Sequence, residues 1–297
     1  MTAAMTSAIK LPRSVVTELS GKIVDESVIA SLSPSKPTLF ADETHIVFNP
    51  SAEGDVVAEG AKKGAYNQTF TPIEGKRIKV VTTTRVSNEL IWADEDNKLE
   101  IIENILADQA GAIGRALDYV VFHALNPKSG QAASGYTALT ADANKVQKTS
   151  DISADLDSMV DALVDYEING LGLSRSTAAA LRKLRYPASG LRMYPEVGVN
   201  LKPGSIEGIP TVVSNTVSGA KAQSPTNVMA IMGDFNQIKW GLVRDMTSEL
   251  IPYGDPDNTG ADLKGSNQVA YRTEAVLSYA VLDPKAFAYL TSAPEAA

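Results

Sequence analysis

The sequence predicts an α+β fold in which long strands and one long helix are laid out in blocks, and three observations carry that prediction. Residues 267–281, "NQVAYRTEAVLSYAV", put Val269, Tyr271, Thr273, Ala275, Leu277, Tyr279 and Val281 on one face of an extended chain, the period-two signature of a half-buried strand. From Lys98 to Leu125, the apolar residues Ile102, Leu106, Ala110, Ile113, Leu117, Val120, Val121 and Ala124 recur at helical spacing, which at 1.5 Å per residue makes a rod of about 40 Å. Around these two elements the chain shows no repeated βαβ unit and no internal repeat, so a doubly wound parallel sheet is excluded.

The remaining elements follow in chain order. Residues 13–33 space Val16, Leu19, Ile23, Val28 and Leu32 as a helix ending before Pro34 and Pro37, an N-terminal arm. A short strand is expected over 44–51. "DVVAEG", 55–60, is expected to pair with "KRIKVVTTTRV", 76–86, as a hairpin whose tip lies within 60–74. At that tip Lys62 and Lys63 stand between Gly60 and Gly64. Within the long helix Gly111 and Gly114 each cost about 1 kcal/mol of helix propensity, which slightly favours close approach by another element over tolerated defects.

A Gly, Ser and Ala-rich stretch, "NPKSGQAASGYTALTADANK", marks a domain boundary, with a new unit beginning near Ser150. There an amphipathic helix shows Ile152, Leu156, Met159, Val160, Leu163 and Val164 on one face, Asp155, Asp157, Asp161 and Asp165 off it, and Gly170 as its stop. The next helix, "SRSTAAALRKLRYP", starts at a Ser cap and carries Arg175, Arg182, Lys183 and Arg185. The acidic and basic helices are expected to pair within or between chains. Short strands are expected around "GIPTVVSN" and "NVMAIMGDF", and a closing helix over "DPKAFAYL" with Asp283 as N-cap and Pro284 at N1.

Composition narrows the function. The 297 residues are 44% hydrophobic and 21% charged, enough for one large domain or two ordinary ones with a real core. No stretch approaches the ~18 apolar residues of a membrane span, and the first residues carry no secretory-signal pattern, so folding where the chain is made is expected. There is no cysteine, and His45 and His123 are the two imidazoles, poor material for a metal site. A net charge of -8 is the wrong sign for a surface that grips nucleic-acid phosphates.

Catalytic patterns fail in turn. No GxSxG elbow is present, and His123 reads as a satisfied helix-end histidine rather than a base. "GLGLSR" lacks the third glycine of a dinucleotide loop, and "GAKKGAY" lacks the GK[ST] ending of a phosphate loop. "YGDPDNTGADLKG" has Asp255, Asp257 and Gly260 at calcium-loop spacing, but Ser266 stands where the bidentate Glu belongs, leaving a solvated loop. The pairs Asp94/Asp96 and Asp155/Asp157 sit in charged runs that read as solvated faces. No enzyme, cofactor or metal is expected.

A lone two-stranded ribbon is marginal in water, so the basic hairpin needs a third surface. Arg77, Lys79 and Arg85 make it basic, whereas the following segment carries Asp94, Glu95 and Asp96. These opposite signs suggest docking onto another copy of the chain, with Lys62 and Lys63 facing that neighbour. Exposed pairs add only ~0.2–1 kcal/mol each, so a large buried contact has to supply most of the energy.

In order and spacing, "VAEG" before a basic hairpin, "VSNELIWAD" opening the long helix, "LDYVVFHAL" ending it, "SIEGIPTVVSN", "MGDF" and "VAYRTEAVLSYAVLDPKAF" resemble the major capsid proteins of tailed double-stranded DNA phages, whose Hong Kong 97-like fold encapsulins share. The resemblance covers nearly the whole chain. It implies an N-terminal arm (1–34), an extended hairpin loop (51–85) over a neighbour, and a spine helix (86–128). It further implies a peripheral domain that includes 35–50 and 245–297, and an axial domain (129–244). The implied function is self-assembly through pentamers and hexamers into an icosahedral shell enclosing DNA without specific binding. The expected localisation is the virion, assembled in the host cytoplasm, and the expected partners are a portal and separate scaffolding and decoration proteins. A fused scaffold is not expected. An encapsulin-type shell is the alternative, and an unrecognised hydrolase or ligand-binding protein a rival of another class. Some members weld loop Lys to Asn with help from a Glu. Asn267 and Glu274 match that spacing, and Lys62 or Lys63 could be the amine, but an offset of seven points the two side chains to opposite strand faces, so non-covalent contact is the preferred reading.

Overall fold

The structure, a computed structural model, describes residues 27–35, 43–49, 55–65, 69–97 and 101–292. Most of the expected N-terminal helix, including Val16, Leu19 and Ile23, lies outside them. Its last turn is α1 (Val28–Leu32), N-capped by Ser27, whose side chain accepts from the Ala30 N–H.

Two strands, β1 (Thr44–Asn49) and β2 (Thr69–Glu74), form an antiparallel ribbon with Phe48 opposite Phe70 and Ile46 opposite Pro72. β3 (Lys76–Ser87) leads into α2 (Asn88–Asn97) and then α3 (Ile101–His123). The expected pairing of 55–60 with 76–86 is corrected here. β3 lies against β10 (Gln268–Val281), which also pairs with β9 (Ile238–Ile251) in a three-stranded antiparallel sheet. Residues 55–65 are irregular and exposed. The β-branched run of β3 is a good strand because β10 offers it a long partner with matching alternation, whereas 55–60 offers six residues interrupted by Gly and Glu.

The long helix packs along this sheet. Leu106, Ala110, Ile113 and Leu117 of α3 share one core with Ile78, Ala275, Leu277, Tyr279 and Trp240. Gln109 ties the two layers: its Nε2 donates to Thr84 Oγ1 (2.9 Å) and the Tyr271 carbonyl (3.0 Å), and its Oε1 accepts from Thr273 (2.5 Å). The helix stops at His123 rather than Leu125, because Ala124 turns to a positive φ of 50°.

After α4 (Leu139–Asp142), a six-stranded mixed sheet runs in the order β4-β11-β8-β5-β7-β6, made from β4 (Asn144–Gln147), β5 (Gly170–Leu173), β6 (Gly204–Ile206), β7 (Ile209–Val213), β8 (Val228–Gly233) and β11 (Phe287–Thr291). α5 (Ile152–Asp161) and α6 (Arg175–Lys183) cover it over a second core that includes Leu156, Met159, Leu163, Leu181, Ala230 and Leu290. Several expectations change here. Gly170 does not stop a helix; it opens the fully buried strand β5, where the Phe235 ring lies against it and leaves no room for a Cβ. Asp155 is buried rather than off the apolar face, accepting from the Thr149 N–H (2.9 Å) and hydroxyl (2.6 Å), while Val160 and Val164 are exposed. The closing helix is only a 3-10 turn, Pro284–Ala286, capped by Asp283 as read; "FAYL" beyond it is β11, inserted between β4 and β8 of this sheet.

Candidate functional site

The β1–β2 ribbon carries an unusual surface. Ile46, Phe48 and Phe70 are each more than half exposed, and the two rings meet edge to face at 5.0 Å between centroids. Because Ile46 faces Pro72 and Phe48 faces Phe70 across the strands, all four lie on one face of the ribbon. Gly75, whose N–H donates to the Glu43 carbonyl at 2.8 Å, joins the ribbon to β3. Exposed aromatics clustered on a two-stranded ribbon have lost the burial that normally stabilises such an element.

Beyond β1, residues 55–65 are exposed throughout, Val56 almost completely. The Ala61 N–H closes a turn on the Ala58 carbonyl at 3.0 Å, and Gly60 takes the positive φ of 81° that the turn requires. Lys62 and Lys63 follow, exposed and with no ion pair or hydrogen bond among the described residues. Among the described residues no phosphate-binding cradle surrounds them.

The other sequence-selected cations behave differently. The Lys79 ammonium sits 3.1 Å from Glu274 of β10. Arg85 is held between Asp257 and Asp255, and its Nη1 donates to the Ala261 carbonyl at 3.0 Å. The hydrogen bond with Arg85 is the main reason that the Asp257 carboxyl lies below its usual range. The guanidinium therefore holds together the loop whose spacing suggested calcium, a role for Asp255 and Asp257 that the sequence reading did not assign. Arg77 is exposed on β3, and its carbonyl accepts from the Tyr136 hydroxyl at 2.8 Å. Asp94 accepts from the Ile102 N–H at 3.3 Å; the side chains of Glu95 and Asp96 lie outside the described residues.

Asn267 precedes β10 in a left-handed turn, φ 52°. Its side-chain Oδ1 accepts from Asn88 Nδ2 at 2.7 Å, and its Nδ2 donates to Glu89 at 2.5 Å. The Glu89 carboxyl lies below its usual range, chiefly through its own backbone N–H and secondarily through Asn267. Asn267 and Glu274, seven residues apart along an extended chain, are separated by about 23 Å at 3.3 Å per residue.

His123 lies where the sequence reading put it, as a satisfied helix-end residue. Its Nε2 donates to the carbonyls of Thr216 (3.1 Å) and Val217 (3.0 Å), and burial pushes its pKa down. It borders a cleft of about 510 Å³ also lined by Thr140, Lys145, Gln223 and Tyr289, which no carboxylate joins among the described residues.

One buried residue was not singled out from sequence: Asp118 of α3, 0% exposed. One of its oxygens accepts from Ser27 Oγ (2.5 Å) and the Ile29 N–H (3.1 Å), the other from the Val28 N–H (2.9 Å) and Thr216 Oγ1 (2.7 Å). It caps α1 from a different helix and fixes where the N-terminal segment meets the body.

A mixed α+β fold with a long helix across a three-stranded sheet, a second sheet domain and an exposed ribbon defines a structural subunit with a Hong Kong 97-like fold. A sequence profile of the Phage capsid family matches residues 8–292, and the chain belongs to that family. A solved chain from Mycobacterium phage Ogopogo is 32% identical, with a TM-score of 0.77 over 91% of this chain and 92% of that one. One from Gordonia phage Cozz is 27% identical, with a TM-score of 0.76 over 91% and 87%. A structure titled "Capsid of empty GTA particle computed with C5 symmetry", 15% identical with a TM-score of 0.60, shares the fold. Among curated proteins no match is found.

Proposed function

We propose that this major capsid protein self-assembles through pentamers and hexamers into an icosahedral shell that encloses double-stranded DNA. The observation that carries the reading is the β1–β2 ribbon, whose apolar face of Ile46, Phe48, Phe70 and Pro72 has no covering layer in its own chain among the described residues. A second copy supplies that layer. Burying one such side chain contributes roughly 1.5–3 kcal/mol, and the contact repeats at every subunit of a ring. Lys62 and Lys63, beyond the ribbon, then face the neighbour. The segments 1–34, 51–85, 86–128 and 129–244 act as arm, extended loop, spine and axial domain, with 35–50 and 245–297 in the peripheral domain, from which β11 reaches into the six-stranded sheet. The net charge of -8 suits a wall that holds DNA without gripping it. Assembly in the host cytoplasm, with a portal and separate scaffolding and decoration proteins, completes the reading.

Purified protein examined by light scattering and negative-stain microscopy is expected to form rings or closed shells. The Phe48→Asp, Phe70→Asp double variant is expected to stay monomeric with a native circular dichroism spectrum, since both side chains are exposed. Wild-type protein that remains a monomer at high concentration, or a double variant that assembles as well as wild type, would overturn the proposal.

Non-covalent contact is also expected to be the whole of the bonding. Asn267 is occupied by Asn88 and Glu89, and Glu274 by Lys79, so breaking three polar contacts would have to precede any weld to Lys62 or Lys63. Assembled particles boiled in SDS should run as one sharp monomer band; a ladder of covalent multimers would show the weld.

A further inference from the structure

The acidic and basic helices of the second domain do not neutralise each other within the chain. Asp161, Asp165 and Glu167, at and beyond the C-terminal end of α5, are exposed and have no ion-pair partner among the described residues. Between them stand Val164, 80% exposed, and Tyr166. This end of α5 is rigidly placed. Tyr166 Oη donates to Asp283 at 3.0 Å, and Asn144 Nδ2 donates to the carbonyls of Ala162 (3.4 Å) and Lys285 (2.8 Å).

The basic counterpart is a tight hairpin after α6. Arg185 and Arg192 form an antiparallel bridge, the Tyr186 N–H donates to the Leu191 carbonyl at 2.9 Å, and the Gly190 N–H returns to the Tyr186 carbonyl at 2.8 Å. Its apolar side chains are outside: Leu191 is 68% exposed and Tyr186 49%. Lys183, Arg185 and Arg192 likewise have no ion-pair partner among the described residues. The hairpin springs from Leu184 and Met193, next to Tyr194, whose hydroxyl bonds Ser153 Oγ at 2.8 Å in the first turn of α5.

The two patches are therefore anchored at opposite ends of α5, a helix of 10 residues or about 15 Å. Each combines charges of one sign with exposed apolar side chains, and neither is directed at the other in the same copy. Two different, complementary faces on one molecule make a head-to-tail contact, which closes into a ring when the rotation permits.

We infer that the basic hairpin of one subunit, residues 185–192, docks on the acidic end of α5, residues 160–167, of the next subunit around a ring. Val160 and Val164 meet Tyr186 and Leu191 at its centre, and the carboxylates and guanidinium groups at the rim set register and speed encounter. This rests on the proposed shell function and adds the pairing rule for its rings. The contact lies at the second domain, so it is separable from the ribbon contact.

The test is a charge swap, read by light scattering and native mass spectrometry at low and high salt. Wild-type protein is assayed first: failure to assemble there refutes shell function itself, whatever the variants do. Given a wild type that assembles, Asp161→Lys with Asp165→Lys, and separately Arg185→Glu with Arg192→Glu, should each raise the protein concentration needed for rings about tenfold or more at low salt. The chain carrying all four substitutions restores complementarity and should assemble within about threefold of wild type. Circular dichroism and thermal melting verify that each variant is folded; an unfolded one is replaced by its Asn or Gln counterpart, for which a smaller rise that vanishes at high salt is expected. Either charge reversal assembling like wild type, or the fourfold variant failing to recover, overturns the inference.

Discussion

Replacing Asp118 by alanine is expected to destabilise the fold by about 3–5 kcal/mol, because buried backbone N–H groups lose their acceptor and a cavity opens where the carboxylate stood. Four donors converge on this carboxylate: two hydroxyls, from Ser27 and Thr216, and two backbone N–H groups, from Val28 and Ile29. The hydroxyls can turn elsewhere; Thr216 already lies 2.9 Å from Ser214 Oγ. The two N–H groups lie in the first turn of a five-residue helix, where no intrahelical carbonyl can accept from them, and an unsatisfied buried donor costs roughly 1–3 kcal/mol.

Asp118→Asn separates charge from shape. Its one oxygen still accepts from Ser27 and Ile29, and its amide can donate to Thr216 Oγ1. Only the Val28 N–H is orphaned, so a loss of about 1–3 kcal/mol is expected. Hydrogen exchange at Val28 and Ile29 reports the local event: both amides should lose protection in Asp118→Ala before the rest of the core does. Burial pushes the Asp118 carboxyl above its ordinary value of 3.8, and the four donors offset this only in part. The sign follows from linkage. A raised folded-state pKa means that the fold holds the proton where the unfolded chain has released it, so this contribution grows as pH falls from the folded value toward 3.8 and is lost as pH rises. The stability gap between wild type and Asp118→Ala is therefore expected to widen on acidification. Urea unfolding at several pH values measures it; an Asp118→Ala protein as stable as wild type at every pH would remove Asp118 from the account of how α1 is held.

What could be read from the sequence divides along local and non-local lines. β10 and α3 were legible because their patterns are long and each needs only one buried face, so period alone identifies them. The strand "GLGL" was not. Two glycines carry no strand signal, and they are needed because Phe235 packs on Gly170 while Val28 and Val217 pack on Gly172, contacts with residues far away in the chain. "FAYL" reads as readily as a helix, because four apolar residues show no period; pairing with β4 and β8 decides it. The partner of β3 was misassigned for the same reason. Adjacency in sequence favoured 55–60, whereas the register with β10 runs from Ser87 to Lys76.

The candidate site shows the same division. Exposure of Lys62 and Lys63 followed from bracketing glycines, a local signal. That Arg85 belongs to Asp255 and Asp257, 170 and 172 positions away, has no local trace; the acidic loop offered calcium spacing and concealed an internal cation. Asp118 was hidden because an acid in an amphipathic helix that also carries Glu103 and Asp108 reads as part of its wet face. A carboxylate at the most apolar end of the helix, between Leu117 and Tyr119, was the one available hint.

Gly233→Ala tests the seam where the two sheet systems join, and a loss of about 3–4 kcal/mol is expected. Gly233 ends β8, paired with Gly170 of β5 on one side and Phe287 of β11 on the other. A Cβ built there falls 2.2 Å from the Ala286 carbonyl oxygen and 2.9 Å from Phe287 Cα. Both are backbone atoms, so no rotamer change relieves the clash. β11 would have to retreat from β8, loosening the Asp234 N–H bond to the Ala286 carbonyl, now 3.1 Å, and displacing Phe287, whose ring packs on Phe235 at 5.5 Å. Phe287 and Phe235 are both fully buried, so the disturbance reaches the first core as well as the second. At roughly 2–4 °C per kcal/mol for a protein of a few hundred residues, the melting temperature should fall by about 6–16 °C. Gly208→Ala is the control: its φ of 83° strains an alanine, but no atom lies within 4 Å of the new Cβ, so only about 1 kcal/mol is expected. If differential scanning calorimetry finds the two variants equally stable, the clash at Gly233 is relieved by movement that the close packing of β8 against β11 does not allow, and that packing is wrong.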